Sequence, residues 1–313
     1  MIVTVTLNPS LDMVYKVPHL VVDDVNRVAE VAKTAGGKGL NVTRVLHQLG
    51  AEVTATGLIG GNIGRYLTDQ LDETGISHDF YSIDGETRHS IAILHDNGQQ
   101  TELLETGPTI AVEELLGFSQ KFAKLSMVGD VLTLSGSMPP GVPKDYYQKL
   151  IANTDKPVLL DTSGESLLVS LSGDKKPFLI KPNLSEIQDV LNIKIDEKDL
   201  DQIKAALHNP LFEGVEWVVV TLGGSGAVAK HGANFYQVSI PKIKVVSPVG
   251  SGDSTIAGLA YAISQGINDE ELLKTGMVTG ILNTMENRTG WINAENYDEL
   301  YEQVQVVRLD RHV

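Results

Sequence analysis

The sequence predicts an α/β fold in which helices cover a mostly parallel sheet, and three observations predict it. Short apolar, β-branched runs alternate with amphipathic stretches along most of the chain. With 42% hydrophobic and 21% charged residues over 313 positions, the chain has the composition of a globular protein able to bury a large core. Two pairs of short strand-like runs interrupt the alternation and read as a small separate sheet.

Taken in order, residues 2–7 alternate β-branched and apolar side chains before Asn8-Pro9 and read as the first strand. Residues 13–17 with 27–32 form the first interrupting pair. Val42, Val45, Leu46 and Leu49 mark one helix face that stops at Gly50, and residues 52–59 are the next strand. Residues 90–95 and 100–105 flank Asp96-Asn97-Gly98, where Asn-Gly is a hairpin signal. The two pairs are expected to form a small antiparallel lid, from about 12–34 and 88–106, inserted over the ligand-binding rim. An exposed sheet of this size needs a partner for its apolar face, so a homodimer through the lid is expected. Beyond it, 131–134, 158–160, 178–180 and 217–221 read as buried strands, with helices at 112–125, 145–152 and 185–191 between them. Residues 228–231 and 235–238 read as a hairpin, and Ile256, Leu259, Ala260 and Ile263 share a helix face. Parallel sheets bind ligands at the C-terminal ends of their strands, which brings Asn8, Ser135, Asp161, Lys181 and Gly223 towards one rim.

Composition excludes several function classes. The net charge of −15 disfavours nucleic acid and anionic membranes as partners. It also means that a phosphorylated ligand needs local Lys, Arg or backbone N–H groups. With no cysteine there is no disulfide, thiolate metal site or cysteine nucleophile, as suits a reducing cytoplasm. The start of the chain lacks a leader pattern, and no run approaches the ~20 apolar residues of a membrane span. The eight histidines show no metal-ligand spacing.

The most informative motif is Val249-Gly250-Ser251-Gly252-Asp253-Ser254, a glycine turn feeding a helix start. Free N–H groups and partial positive charge there suit an oxyanion. A carboxylate beside such a site fits a base that takes the proton of an attacking hydroxyl; it equally fits a plain cap. Gly36-Gly37-Lys38-Gly39-Leu40-Asn41 gathers glycines, a cation and an amide ahead of a helix, enough to approach a sugar closely, yet it lacks the spacing of a Walker A loop. Asp12 can accept from two sugar hydroxyls or serve a turn. Arg27 and Arg88, at the lid edges, and Ser137 after a strand are phosphate-binding candidates or ordinary surface residues. Asn183 and Glu186 follow Lys181-Pro182 and are placed to hold a hydrated metal; Glu186 also reads as a first-turn glutamate favoured by the helix dipole. Gly224-Ser225-Gly226-Ala227-Val228-Ala229 matches the relaxed dinucleotide pattern, a rival oxidoreductase reading, but a hairpin rather than a helix follows it.

Residues 36–43 and Gly250-Ser251-Gly252-Asp253 resemble the two signatures of the ribokinase-like sugar kinases, in the phosphofructokinase-B branch. Thr6 to Ser10, Lys181-Pro182-Asn183 with Glu186, and Thr221-Leu222-Gly223 extend the resemblance over nearly the whole chain in the same order. Within the branch, residues 23–27, 91–95 and 211–217 look most like kinases of tagatose 6-phosphate, with the 1-phosphofructokinases close by. The resemblance implies one domain over 1–313, an αβα sandwich with a β lid that pairs between subunits, ATP as co-substrate and Mg²⁺. It implies Asp253 as base, with Gly250, Ser251 and Gly252 as an anion hole. Asp12, Gly37, Lys38 and Asn41 would meet the sugar, and Arg88, Ser137, Lys38 and Arg27 its phosphate, Arg27 across the dimer. Lys181, Asn183, Glu186, Thr221, Gly223 and Gly226 would face nucleotide and Mg²⁺, the metal held by Asn183 and Glu186 through water, and Asn283 would lie near the base. The chain departs from the pattern at Ser247-Pro248, where an Asp/Asn-Thr pair is common, and at Ser251, which replaces alanine. The implied reaction phosphorylates the C1 hydroxyl of D-tagatose 6-phosphate. The alternatives are fructose 1-phosphate as acceptor, or a non-catalytic sugar-phosphate sensor.

Overall fold

The computed structural model describes residues 1–309; residues 310–313, the last four of the expected 1–313 domain, lie outside the described residues. β1 (Ile2–Thr6) leads at its C-terminal end into β2 (Ser10–Lys16) and β3 (Val31–Gly36). α1 (Lys38–Gln48) returns to the main layer, where β4 (Val53–Gly60), α2 (Gly61–Glu73), β5 (Ser77–His78) and β6 (Tyr81–Ile83) follow. β7 (Arg88–His95) and β8 (Gln99–Leu104) leave it again. The alternation then resumes through α3 (Val112–Val128), β9 (Val131–Ser135), α4 (Tyr146–Ala152), β10 (Val158–Asp161), α5 (Gly164–Ser172), β11 (Leu179–Ile180), α6 (Leu184–Leu191), α7 (Leu200–Leu207) and β12 (Trp217–Thr221). The chain closes with β13 (Ala227–His231), β14 (Asn234–Ser239), α8 (Ser251–Gln265), α9 (Asp269–Thr284), α10 (Tyr297–Gln303) and β15 (Gln305–Leu309).

The main sheet runs β15-β14-β13-β12-β11-β10-β9-β1-β4-β5, with β6 also beside β4. Pairing is parallel from β12 to β5 and antiparallel from β12 to β15. Strand residues alternate between two cores, as burial on both faces requires. Val5, Leu132, Leu160 and Val218 face the core shared with α3, α4, α5 and α7. Ile2, Val131, Leu159 and Val219 face the one shared with α1, α8 and α9. This is the expected αβα sandwich. β1 lies between β4 and β9, so the strand order reverses there and the crevice opens at its C-terminal end.

The segments expected to form the lid make a separate four-stranded sheet, β3-β2-β7-β8. Its outer pairs are antiparallel as expected, and the β7–β8 turn sits on Asp96 and Asn97, both at positive φ. The sheet as a whole is not antiparallel, because β2 and β7 leave the same rim in the same direction and pair in parallel. The strand expected at 27–32 begins only at Val31. The β2–β3 ladder ends at Tyr15 opposite Val31, and Asn26 closes the preceding loop by bonding both N and O of Val21.

Candidate active site

α8 starts on Gly250, whose φ of +83° is a left-handed conformation that favours glycine. A side chain there would also strike Thr289 at 2.4 Å and Asn283 Oδ1 at 2.9 Å. The turn aims the first N–H groups of α8 out of the rim. Ser251 N–H turns back towards Pro248 O at 3.3 Å, so Gly252 and Asp253 supply the more open donors. The Lys181 ammonium lies over Gly252, 3.1 Å from where a Cβ would sit, which puts a cation beside these donors.

Asp253, in the first turn of α8, is buried, and Asn41 Nδ2 donates to its Oδ2 at 2.7 Å. Burial raises its pKa to about 6, and the nearby Asp161 carboxylate pushes the same way; Lys38, Asn41 and Lys181 act against them. Asp161 ends β10 and is buried, with Oδ1 3.4 Å from Lys181 Nζ and Oδ2 3.6 Å from Lys38 Nζ. Burial would push its carboxyl up, but these two ammoniums outweigh burial and hold it below the usual range. Asp161 in turn raises the pKa of Lys38 against the desolvation of that side chain, with Asp253 and Glu186 adding to the rise. One charged cluster therefore joins α1, β10, the residue after β11, the start of α6 and the start of α8.

A second cluster sits where the lid meets α1. Asp12 accepts from Ser10 Oγ at 2.6 Å and lies over Gly36, where any side chain would collide with its carboxylate. Burial raises the Asp12 pKa, against Ser10, Arg44 and Arg88. Arg88 Nε donates to Asn8 O at 3.3 Å. Between the clusters lies a cleft of about 370 Å³, lined by Gly37, Lys38, Arg88, Ser137, Lys144 and Ser166. Thr6 Oγ1 and Ser135 Oγ, on residues of its wall, are buried with no hydrogen-bond partner. A larger hollow of about 550 Å³ near Gly61, Arg65, His78 and Phe80 contains none of these charged groups.

Asp12, Gly37, Lys38, Asn41, Arg88, Ser137, Lys181, Glu186, Asp253 and the Gly250–Gly252 turn thus gather at one rim. Asn183 and Glu186 spend atoms on a capping box: Asn183 Oδ1 accepts from Glu186 N, and Glu186 Oε2 from Asn183 N, both at 2.9 Å. Glu186 Oε1 remains for a hydrated ion. Among the described residues no group of three or more His, Cys, Asp or Glu could hold a metal directly. This donor set therefore fits a Mg²⁺ that keeps its waters and is held mostly by phosphates. Thr221 is joined to this turn through its N–H bond to Pro182 O at 3.0 Å, and Gly223 and Gly226 shape the next turn at φ +53° and +93°. That turn enters β13, not a helix, which removes the dinucleotide reading of residues 224–229.

Arg27 is exposed in the β2–β3 loop and makes no hydrogen bond or ion pair within the described residues; the lid strand starts four residues later than expected. One residue is placed otherwise than expected. Asn283 is fully buried in α9, and its amide is spent inside the protein. It accepts from Ser254 Oγ at 2.6 Å and Gly290 N at 3.2 Å and donates to Val249 O at 3.3 Å, bracing the glycine turn rather than lining the cleft. Arg44 and Lys144 were not among the expected site residues, and Asp161, expected at the strand-end rim, had been given no role there.

Residues 5–290 match the pfkB family of carbohydrate kinases. Among solved structures, a putative phosphofructokinase from Staphylococcus aureus is 30% identical, with 99% of each chain covered and a TM-score of 0.86. Phosphofructokinase-2 from Escherichia coli, in complex with potassium, is 26% identical over 96% of this chain and 98% of its own, TM-score 0.90. A possible 1-phosphofructokinase from Thermotoga maritima is 26% identical over 99% and 100%, TM-score 0.87.

Proposed function

We propose, from the premise that this chain belongs to the pfkB family of carbohydrate kinases, that it transfers the γ-phosphoryl group of ATP to the C1 hydroxyl of D-tagatose 6-phosphate. The family implies sugar-kinase chemistry with ATP as co-substrate. The observation that carries the mechanism is Asp253 itself: a buried carboxylate on the first turn of a glycine-started helix, hydrogen-bonded to Asn41 at 2.7 Å. With a pKa of about 6 it is ionised at neutral pH yet basic enough to take a hydroxyl proton.

In the reaction the acceptor oxygen bonds to the γ-phosphorus in line as the bond to the β,γ-bridging oxygen breaks. The hydroxyl proton passes to Asp253 Oδ, and ADP leaves. The N–H groups at the start of α8, together with Lys181 and Lys38, lie where negative charge spreads over the transferring group. Mg²⁺ held through water at Glu186 and Asn183 would neutralise charge on the nucleotide phosphates. Asp12 and Asn41 hold the sugar hydroxyls, and Arg88, Ser137 and Lys144 offer the phosphate already on the acceptor two cations and a hydroxyl. The lid roots next to Asp12 and Gly37, so its closure would exclude water from the phosphoryl group. The lid's exposed Val31, Leu103 and Leu104 suit pairing with a second copy, which would bring the unpartnered Arg27 towards a neighbouring cleft.

The likeness to a possible 1-phosphofructokinase supports a second acceptor reading, fructose 1-phosphate attacked through C6. Measurement of ADP release with tagatose 6-phosphate, fructose 6-phosphate and fructose 1-phosphate separates these by kcat/KM. The proposal expects the highest value with tagatose 6-phosphate, and a higher value with fructose 1-phosphate overturns it. No ADP release with any of them would favour a sensor. Asp253→Asn should bind substrate and lose about 10²–10⁴-fold in kcat; near wild-type turnover refutes the base.

A further inference from the structure

Arg44 lies one helical turn beyond Asn41 on the same face of α1 and reaches neither the cleft nor its lining residues as a ligand group. Its guanidinium is nevertheless spent on three parts of the site at once. One terminal nitrogen donates to Ala35 O, at the root of lid strand β3. The other donates to Asn41 Oδ1 and, at 3.1 Å, to Thr289 O. Ala35 precedes Gly36, on which the Asp12 carboxylate rests. Thr289 packs its methyl group against the position Gly250 keeps open, and the adjacent Gly290 N–H donates to Asn283 Oδ1. Gln48, one turn further, bonds the same loop through Gly290 O and Ile292 N, at 3.1 and 3.0 Å. The lid root, the sugar-facing amide and the phosphate-facing turn thus share one planar cation.

We infer that Arg44 is a positioning residue that acts through Asn41, fixing the amide so that its NH₂ group, and not its oxygen, meets Asp253. The inference rests on the proposed role of Asp253 as base. Its physics is a matter of donor count. A guanidinium only donates and an ionised carboxylate only accepts. A flipped Asn41 would set NH₂ against guanidinium and oxygen against carboxylate, losing both bonds. With Arg44 in place, Asn41 has one workable orientation. That orientation holds Oδ2 of Asp253 and leaves Oδ1 for the acceptor's proton. Lysine cannot replace the planar fork that reaches three carbonyl-type oxygens.

Electrostatics adds to this geometry. Desolvation lowers the Arg44 pKa to about 10, with Asp12 and Asp253 supporting its charge, so it stays cationic at neutral pH. The groups facing Asp253 are Asn41 and Lys38 on α1, Asp161 at the end of β10 and Lys181 after β11. Those facing Asp12 are Ser10, Ser90, Arg88 and Arg44. Arg44 lies further from Asp253 than these, yet both carboxylates, Asp12 more than Asp253, support its charge.

The test uses the full-length protein with Arg44→Met, Arg44→Lys, Asn41→Leu and the Arg44→Met/Asn41→Leu double variant. Turnover is followed from pH 5 to 8.5, with a thermal melt of each variant. Arg44→Met should lower kcat on the order of 10–100-fold, more than it alters KM for ATP, since a small misplacement at the reacting centre is costly. The acid limb of its kcat profile should move to higher pH, because a carboxylate that has lost a cation and an oriented donor is protonated more readily. Arg44→Lys should keep the limb near the wild-type position yet recover only part of kcat. The double variant should be little worse than Asn41→Leu alone, because the two residues act as one unit. A lowered melting temperature with unchanged kcat and limb per folded site would make Arg44 purely structural and overturn the inference. Additive losses in the double variant would also overturn it. If Arg44→Met does not fold, the lysine variant and the cycle of Arg44→Lys with Asn41→Leu decide on the same criteria. Should Asp253→Asn be active, the assignment of the base fails and this inference falls with it; an inactive Asp253→Asn beside unmoved Arg44 profiles sinks the inference alone.

Discussion

Replacing Asp253 by Asn should make the protein more stable while silencing it. The side chain is buried, and its pKa of about 6 stands some two pH units above the ordinary 3.8. At ~1.4 kcal/mol per unit, holding this carboxylate ionised in the folded protein costs ~3 kcal/mol at pH 7.5 relative to the unfolded chain. Asparagine has the same shape, can still accept from Asn41, and carries no charge, so most of that cost disappears. The sign with pH follows from linkage. Above pH 6 the carboxylate is charged in both states, and the cost is present in full. As pH falls through 6 the folded protein takes up a proton and the cost is relieved; below about 3.8 both states are protonated and it is gone. Urea unfolding of both proteins at pH 7.5, 6.5, 5.5 and 4.5 measures the gap directly. It should be about 2–3 kcal/mol in favour of the variant at pH 7.5 and shrink steadily below pH 6. A variant less stable than wild type at pH 7.5, or a gap that does not change with pH, would refute the reasoning.

Four further outcomes are expected. Turnover should fall about tenfold between pH 7.5 and pH 5, as a base with a pKa of about 6 loses its charge. Asp161→Asn should move that acid limb to lower pH by removing an anion that raises Asp253; a limb that stays put or rises in stopped-time ADP assays counts against the cluster. Lys144→Ala should raise KM for the sugar phosphate about 3–10-fold with kcat little changed, as removing one exposed cation from a phosphate contact does; unchanged KM would show that the phosphate lies elsewhere in the cleft. Asn283→Ala leaves Gly290 N and Val249 O without their partner, while Ser254 Oγ keeps Gly250 O, and should cost about 1–3 kcal/mol in denaturant unfolding. A cost near zero would mean that the amide does not brace the turn.

What the sequence made legible was local. Gly250-Ser251-Gly252-Asp253 could be read because a left-handed glycine, a helix start and a carboxylate within four positions already constrain one another. The same holds for Gly36 to Asn41, and for the β7–β8 hairpin, whose turn residues carry the conformational requirement themselves. The buried strands could be read because both faces are covered, which leaves short runs dominated by apolar and β-branched residues. What stayed hidden depends on contacts between distant segments. Asp161 could be placed at the strand-end rim, but its role shows only when Lys38 and Lys181 arrive from elsewhere in the chain. Asn283 reads as a helix amide that could face either way; only packing of α9 on α8 shows that its partners are Ser254, Val249 and Gly290. The parallel β2–β7 pairing and the late start of β3 are set by how two excursions leave one rim, which local propensity does not encode. Arg44 left one faint trace, its spacing of three from Asn41, common to many surface arginines.

A chain with net charge −15 that handles two polyanions must solve a local problem, and Asp161 shows how this fold solves it. Lys38 and Lys181 could be left as bare ammoniums facing the cleft, but two cations so close would repel each other and wander. A single buried carboxylate holds both in place at 3.6 and 3.4 Å, longer than a tight charge-assisted hydrogen bond. The ammoniums therefore keep donors for phosphate oxygens and need little rearrangement to use them, which is the economy of preorganised charge. The same carboxylate acts on Asp253, raising its affinity for a proton without contributing a proton acceptor to the reaction. Had the lysines been paired directly with Asp253, they would have depressed its basicity and weakened it as the base. Interposing Asp161 separates the two demands: cations are oriented towards the transferring group, and the base is kept basic.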